Sequence, residues 1–361
     1  MTKYFSDCHR LKAVSISILF IIVSISVFAQ QKEEADNLVQ EGVVFQDKGD
    51  VDSAFSRYNL ALKMDRDNLA ALAEMAYSYL SIDKYEESIS YSKRAIKTHP
   101  HDPVLKTVYV SYGNALDGEG KAEKAIDMYN EGIRLFPEYF QLYYNKGISQ
   151  IKMSKSADAL LSFERSVTLN PNHASSHNAI GRLLFVTNQI PSLMAFCRFL
   201  ILEPNSQRSS ANLNNVQKIL SAHVSKTGAY NVTINVNPEL LDTNKKKEKN
   251  NFSGAELVLA VNSSLDYDST NANKTEVEKF IRKISMLWKY LQEIEKDNYG
   301  FYWDYYVPYF TEMNDKGFTE VFAYIVFSSS DNGVVKDWLE SHKNEITDFY
   351  KWSDSFQWRI N

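Results

Sequence analysis

The chain has 361 residues, 44% of them hydrophobic, with 40 basic and 45 acidic side chains and a formal net charge of −5. That length suffices for two structural units with sizeable cores, and that hydrophobic share excludes a disordered chain. The mild acidity argues against a nucleic-acid partner, because a polyanion attracts basic faces.

The N-terminus carries Lys3, Arg10 and Lys12, then an uninterrupted stretch of apolar residues and serines from Ala13 to Phe28. Its sixteen residues fall short of the roughly 20 that a spanning helix needs. Val27 and Ala29 occupy the −3 and −1 positions of a signal-peptidase site ahead of Gln30 and Gln31. Residues 1–29 therefore read as a secretory signal cleaved after Ala29, leaving a mature chain with no transmembrane segment. The expected location is periplasmic or outer-membrane-associated. Cys8 leaves with the leader, so Cys197 is the lone mature cysteine and no internal disulfide framework is expected.

From about Ala35 to Asn205 the chain repeats itself. Pro100, Pro137, Pro171 and Pro204 are spaced by 37, 34 and 33 residues. A small residue precedes each by about 24 positions (Ala76, Gly113, Gly147, Gly181), with Gly42 one period earlier. A second small residue follows twelve positions later in four copies (Ala54, Ser88, Ala125, Ala159), and an aromatic comes four further on at Tyr58, Tyr129 and Phe163. Gly49 and Gly120 fall where two helices would turn. Small residues permit close helix approach, the aromatic fills a packing layer and proline stops a helix.

This pattern resembles the tetratricopeptide repeat, whose unit is two antiparallel helices. The units fall at about 35–68, 69–102, 106–139, 140–173 and 174–205. The last is degenerate, with Leu193 in place of the second small residue and a loop one residue short. Ser209 to Val224 reads as a capping helix, so 30–224 is expected to form the solenoid. Residues 225–252 read as a strand signal (Val232, Ile234, Val236) followed by a polar linker rich in lysine and asparagine. Residues 253–361 read as a second, aromatic-rich helical region. It contains a helix from Ser253 as N-cap, a capping box at Asn273 and Glu276, and a one-sided stripe from Val277 to Ile294. Eight of the twelve residues from Tyr299 to Phe310 are aromatic. The expected fold is mainly α: a tetratricopeptide-like α-solenoid of about five repeats and a cap, then a mainly helical C-terminal region with one or two short strands. The Gln-Gln start, exported repeats and abundant Tyr and Asn resemble envelope proteins of Bacteroidota-type bacteria.

Catalytic and metal signatures are weak. His173 and His177 stand four apart, but no third ligand accompanies them, and a surface pair is expected. Gly118, Gly120 and Lys121 lack the rest of a phosphate loop. Asp266 and Asp268 begin like a calcium loop that then lacks its glycine and glutamate. No nucleophile–base couple is recognisable, so no enzyme activity, metal or cofactor is expected.

The resemblance implies a concave face lined by the first helix of each repeat. Mapped here, the partner-binding positions are Val43, Tyr77, Leu80, Asn114, Tyr144, Ile148, Ile151, Asn178, Arg182 and Phe185, with Val39 and Val110 at equivalent places. A mixed apolar, aromatic and amide surface suits a peptide segment of a protein partner. The implied function is a non-enzymatic, exported scaffold or adaptor in the cell envelope. One alternative is carbohydrate or surface-polymer binding through the aromatic run; another is an envelope enzyme with an unrecognised site. A further possibility at this stage is that the C-terminal region folds back into the groove.

Overall fold

A four-fold recurring turn sets the architecture of the N-terminal half. In the computed structural model, which describes residues 29–228, 231–235 and 248–358, the helices α1 (29–47), α3 (Leu69–Ser81), α5 (Leu105–Gly118) and α7 (Phe140–Lys152) end alike. Each is followed by one residue at positive φ: Gly49, Asp83, Gly120 and Ser154, at 80°, 58°, 78° and 59°. The N–H after that residue reaches back five positions, as Asp50 to the Phe45 carbonyl and Lys121 to the Leu116 carbonyl, at 3.0 and 2.8 Å. This is the Schellman ending, and it satisfies carbonyls that the helix cannot. Glycine supplies it without steric cost, whereas Asp83 and Ser154 adopt it at some cost.

The partner helices α2 (Val51–Met64), α4 (Tyr85–Thr98) and α6 (Ala122–Leu135) return antiparallel to α1, α3 and α5. Pro100 and Pro137 lie one residue past the C-caps His99 and Phe136, where a ring without an N–H ends the helix. Two apolar clusters hold the unit together. One joins Ala35, Val39, Ala54, Tyr58, Ala61, Ala71 and Met75. The other includes Leu72, Leu105, Val108, Tyr109, Ala125, Tyr129 and Leu142. Val39 is therefore a core residue rather than a groove residue; at 2% exposure it has nothing left for a partner.

By density of contacts the first compact unit ends at Lys155 and a second runs from Ser156 to the end of the chain. The second unit thus takes in α8 (Ser156–Leu169), the pair α9 (Ala174–Leu184) and α10 (Gln189–Leu202), and α11 (Ser209–Ser221). It also contains every element after residue 224, where the sequence had suggested a boundary. A two-stranded antiparallel hairpin follows α11: β1 (Val224–Lys226) pairs with β2 (Val232–Ile234), Val224 opposite Ile234. Val236 of the expected strand and most of the lysine-rich linker lie outside the described residues. Then come α12 (Ser253–Ser264), α13 (Glu276–Ile294), α14 (Phe301–Asp315), α15 (Thr319–Val326), α16 (Gly333–Ser341) and α17 (Lys343–Ser355).

Helix α10 explains why these elements form one body. Every residue from Ile190 to Ile201 is buried, and a helix apolar all round must be covered all round. Helices α9 and α11 cover part of it, and α12, α14 and α15 pack on the rest. The degenerate fifth repeat also resolves here. Its shorter loop moves the register by one, so Ser192 rather than Leu193 takes the small position, and its hydroxyl donates to the Gly181 carbonyl at 2.7 Å. In the second repeat Ser88 donates likewise to the Ala76 carbonyl, also at 2.7 Å.

Two expected caps shift. The capping box of α13 is Thr275 with Glu278, two residues beyond the Asn273–Glu276 pair. At α12 the Asn251 side chain accepts from the Ser253 N–H at 3.0 Å, so Ser253 is capped rather than capping. The leader signature and its residues 1–28 lie outside the described residues; among these, no helix is long and apolar enough to cross a membrane.

Candidate functional site

In the first unit Val43 lies on α1, Tyr77 and Leu80 on α3, Asn114 on α5, and Tyr144, Ile148 and Ile151 on α7. Tyr77 and Ile151 are open to solvent, 53% and 40% exposed, although both are large and apolar. Val43, Leu80, Asn114, Tyr144 and Ile148 are half-buried. Asn114 is partly committed, since its carbonyl oxygen accepts from the Tyr129 hydroxyl at 2.7 Å. Neighbouring polar groups are ordered in the same way. Gln46 accepts from Tyr58 at 3.1 Å and from the Ser78 hydroxyl, while Lys152 pairs with Asp117. Burial, then the nearby Asp47, raises the Glu74 carboxyl above the usual range.

In the second unit three of the expected residues converge. Asn178 and Arg182 on α9 and Phe185 at its end line one open cavity of about 590 Å³. The opposite wall is Gln207, Arg208, Asn212 and Asn215, on and just before α11, with Phe196 of α10 as part of the floor. Reading the repeats alone missed that wall, because α11 has no proline and no periodic partner. The amide spacing Asn212, Asn215 was its available signal. Arg208 is held in place: its guanidinium donates to Glu203 at 2.5 Å and to the Ser175 hydroxyl at 3.1 Å, and lies over the Phe199 ring. Asn212 donates to the Arg208 carbonyl at 2.9 Å. That wall is thus preorganised, and the cavity as a whole combines amides, two exposed guanidinium groups (Arg182 and Arg208) and an aromatic floor.

The aromatic run takes no part in this cavity. Most of it forms α14, whose Tyr302, Trp303, Tyr305, Tyr306, Tyr309 and Phe310 are buried, so these six rings offer no platform for the alternative of sugar stacking. The hydroxyls find partners on the repeats: Tyr302 donates to Glu164 at 2.6 Å and Tyr305 to the Val167 carbonyl at 2.8 Å. His177 is not a surface residue as expected but wholly buried. Its Nε2 is 2.9 Å from the Pro171 carbonyl, which can only accept, so Nε2 carries the proton. Nδ1 then accepts from the Tyr306 hydroxyl at 2.7 Å. Burial, with Arg198 adding to it, pushes the His177 pKa down to about 3.

Arg198 is the least expected residue of all. It is fully buried within α10 and donates to Asn172, Ser353 and Tyr309 at 2.7, 2.9 and 3.1 Å. Its guanidinium also lies over the rings of Tyr309 and Trp358 at 5.0 and 5.1 Å. It ties α10 to α14 and α17 rather than to a ligand.

The remaining motifs are structural. Gly120 is a turn residue and Lys121 pairs with Glu119 at 2.9 Å. Asp268 accepts from the N–H groups of Thr270 and Asn271 in its own turn. Cys197 is buried and unpaired, and burial drives its thiol pKa upward.

Comparison with known proteins bears on the repeats. The profile of the tetratricopeptide repeat family matches residues 107–139 and 140–173. The photosystem I assembly protein Ycf3 of Prochlorococcus marinus is 27% identical over 130 residues, 32% of this chain and 75% of that protein. The Hsp70-Hsp90 organizing protein of Triticum aestivum is 27% identical over 111 residues, 30% of this chain; the match spans only 19% of that protein's length. Among solved structures, the type IV pilus biogenesis factor PilW superposes with a TM-score of 0.45 at 16% identity, covering 66% of this chain and 96% of that one. The chain carries tetratricopeptide repeats, and its fold class is the helix-turn-helix α-solenoid with a mainly helical C-terminal region.

Proposed function

We propose that the protein is a non-enzymatic scaffold, exported to the cell envelope, that holds a peptide segment of a protein partner between α9 and α11. The observation that carries this reading is the convergence of Asn178, Arg182 and Phe185 with Gln207, Asn212 and Asn215 on a cavity that the C-terminal helices leave open. Amides at such spacing can pair with the backbone of an extended segment, Arg182 with an acidic group, and the Phe185 and Phe196 rings with an apolar side chain. The relatives' names point the same way, since one is an assembly protein and another an organizing protein. Export rests on the leader pattern of residues 1–29.

A photo-crosslinking residue at Ala211, on the cavity wall, tests the site in the native cell. It should give a discrete protein adduct that is lost in the Asn178→Ala/Arg182→Ala variant, whereas the same probe at exposed Val334 should not. An adduct undiminished by the double variant rejects the site. Sequencing the mature N-terminus tests export separately; it should begin at Gln30.

A further inference from the structure

A second cavity, of about 510 Å³, lies between α11, the hairpin and α13, lined by three lysines (Lys226, Lys279 and Lys283) against two carboxylates (Asp266 and Glu276). Its centre is Asp266, in the short turn after α12. One carboxylate oxygen pairs with Arg282 and the other with the Lys283 ammonium at 2.5 Å. Two cations thus share one anion. Lys283 is almost entirely withdrawn from water, its side chain 7% exposed, yet it lines the cavity. An ammonium has three N–H donors, and Asp266 is its one ion-pair partner among the described residues. Arg282 is also incompletely satisfied, since its Nε is buried without a hydrogen-bond partner. Lys279 and Lys226 line the same space; Lys279 pairs with Glu276 at 3.2 Å. Surplus buried charge is costly unless something pairs with it.

We infer that this cavity binds a small organic anion, its phosphate or carboxylate head held by Lys226, Lys279 and Lys283. Gln217 and Ser221 of α11 offer hydrogen bonds to the head. Leu220, Phe280 and Phe327 form an apolar floor for the body of the ligand. The size falls within the range of small-molecule sites, about 300–1,000 Å³. The site is independent of the peptide cavity, with which it shares no lining residue.

Titration calorimetry on the full mature chain tests it, using inorganic phosphate, glucose 6-phosphate, hexanoate and uncharged glucose. At least one anion should bind with a Kd of about 1 mM or tighter, and glucose should not. Which anion binds distinguishes a phosphate from a carboxylate head. In the Lys226→Ala/Lys279→Met variant that affinity should fall about tenfold or more with the unliganded Tm unchanged. Methionine keeps the apolar stem at 279 and leaves the Lys283–Asp266 pair intact. Failure of all three anions to bind, equal binding of glucose, or undiminished binding by the variant overturns the inference.

Discussion

At Gly42, Gly113 and Gly181 the absent side chain makes room for a ring of the same repeat. A Cβ at Gly113 would lie 2.6 Å from the Tyr129 Cζ, and one at Gly181 would lie 2.7 Å from Phe196. The small residue and the aromatic that recur in the sequence are therefore one contact between paired helices. Tyr129 cannot swing aside, being buried and bonded to Asn114. Gly113→Ala should destabilise the first unit by about 1–3 kcal/mol through overpacking; an unshifted urea midpoint would contradict the contact. His177 gives the second residue-scale prediction. Its folded pKa of about 3 lies below the unfolded value near 6.5, so the unfolded chain takes up the proton first. The stability it contributes is complete above pH 6.5 and is lost as pH falls from there towards 3. The loss within that window is about 1.4 kcal/mol per pH unit for one proton. Comparing denaturant midpoints at neutral and mildly acidic pH for wild type and His177→Gln isolates this slope from that of the carboxylates, and equal slopes would count against it.

Among the helices, α10 and α13 show opposite relations between sequence and structure. The stripe of α13 is one-sided, and the helix buries Val277, Phe280, Ile284, Leu287, Trp288 and Leu291 as that stripe implies. Only its start was misplaced. Thr275 wins over Asn273 because its hydroxyl accepts from the Glu278 N–H at 3.2 Å while Glu278 accepts from the Thr275 N–H at 2.7 Å. Thr275→Ala should cost about 1 kcal/mol, read as a lower midpoint for the second unit; no change would mean that this end is held by packing alone. Helix α10 has no polar face to show which side meets solvent. Its unbroken apolar run around Arg198 signalled burial on every side, a signal hidden by treating it as a worn repeat.

For the chain as a whole, the consequence is that the fifth repeat depends on residues far beyond it. A fragment of residues 30–224 would uncover the faces of α10 that meet α12, α14 and α15, and would take Tyr309, Ser353 and Trp358 from Arg198. That fragment should associate and bind a hydrophobic dye, whereas residues 30–361 together should not. A monomeric fragment with cooperative unfolding would contradict this dependence. The repeat helices, their turns and their prolines were legible in the sequence because they rest on local rules: positive φ after a helix, a ring without an N–H, a small residue at a fixed interval. Asn178, Arg182 and Phe185, which the resemblance to the repeat family singled out, line one wall of a cavity. The other wall, the partners of the buried aromatic run, the neutral buried His177 and the two cations on Asp266 depend on residues that meet across as many as 138 positions of sequence. Local propensity determines which segments become helices. Only the tertiary structure decides which apolar faces cover one another, because burial is a property of the pair and neither segment carries it alone.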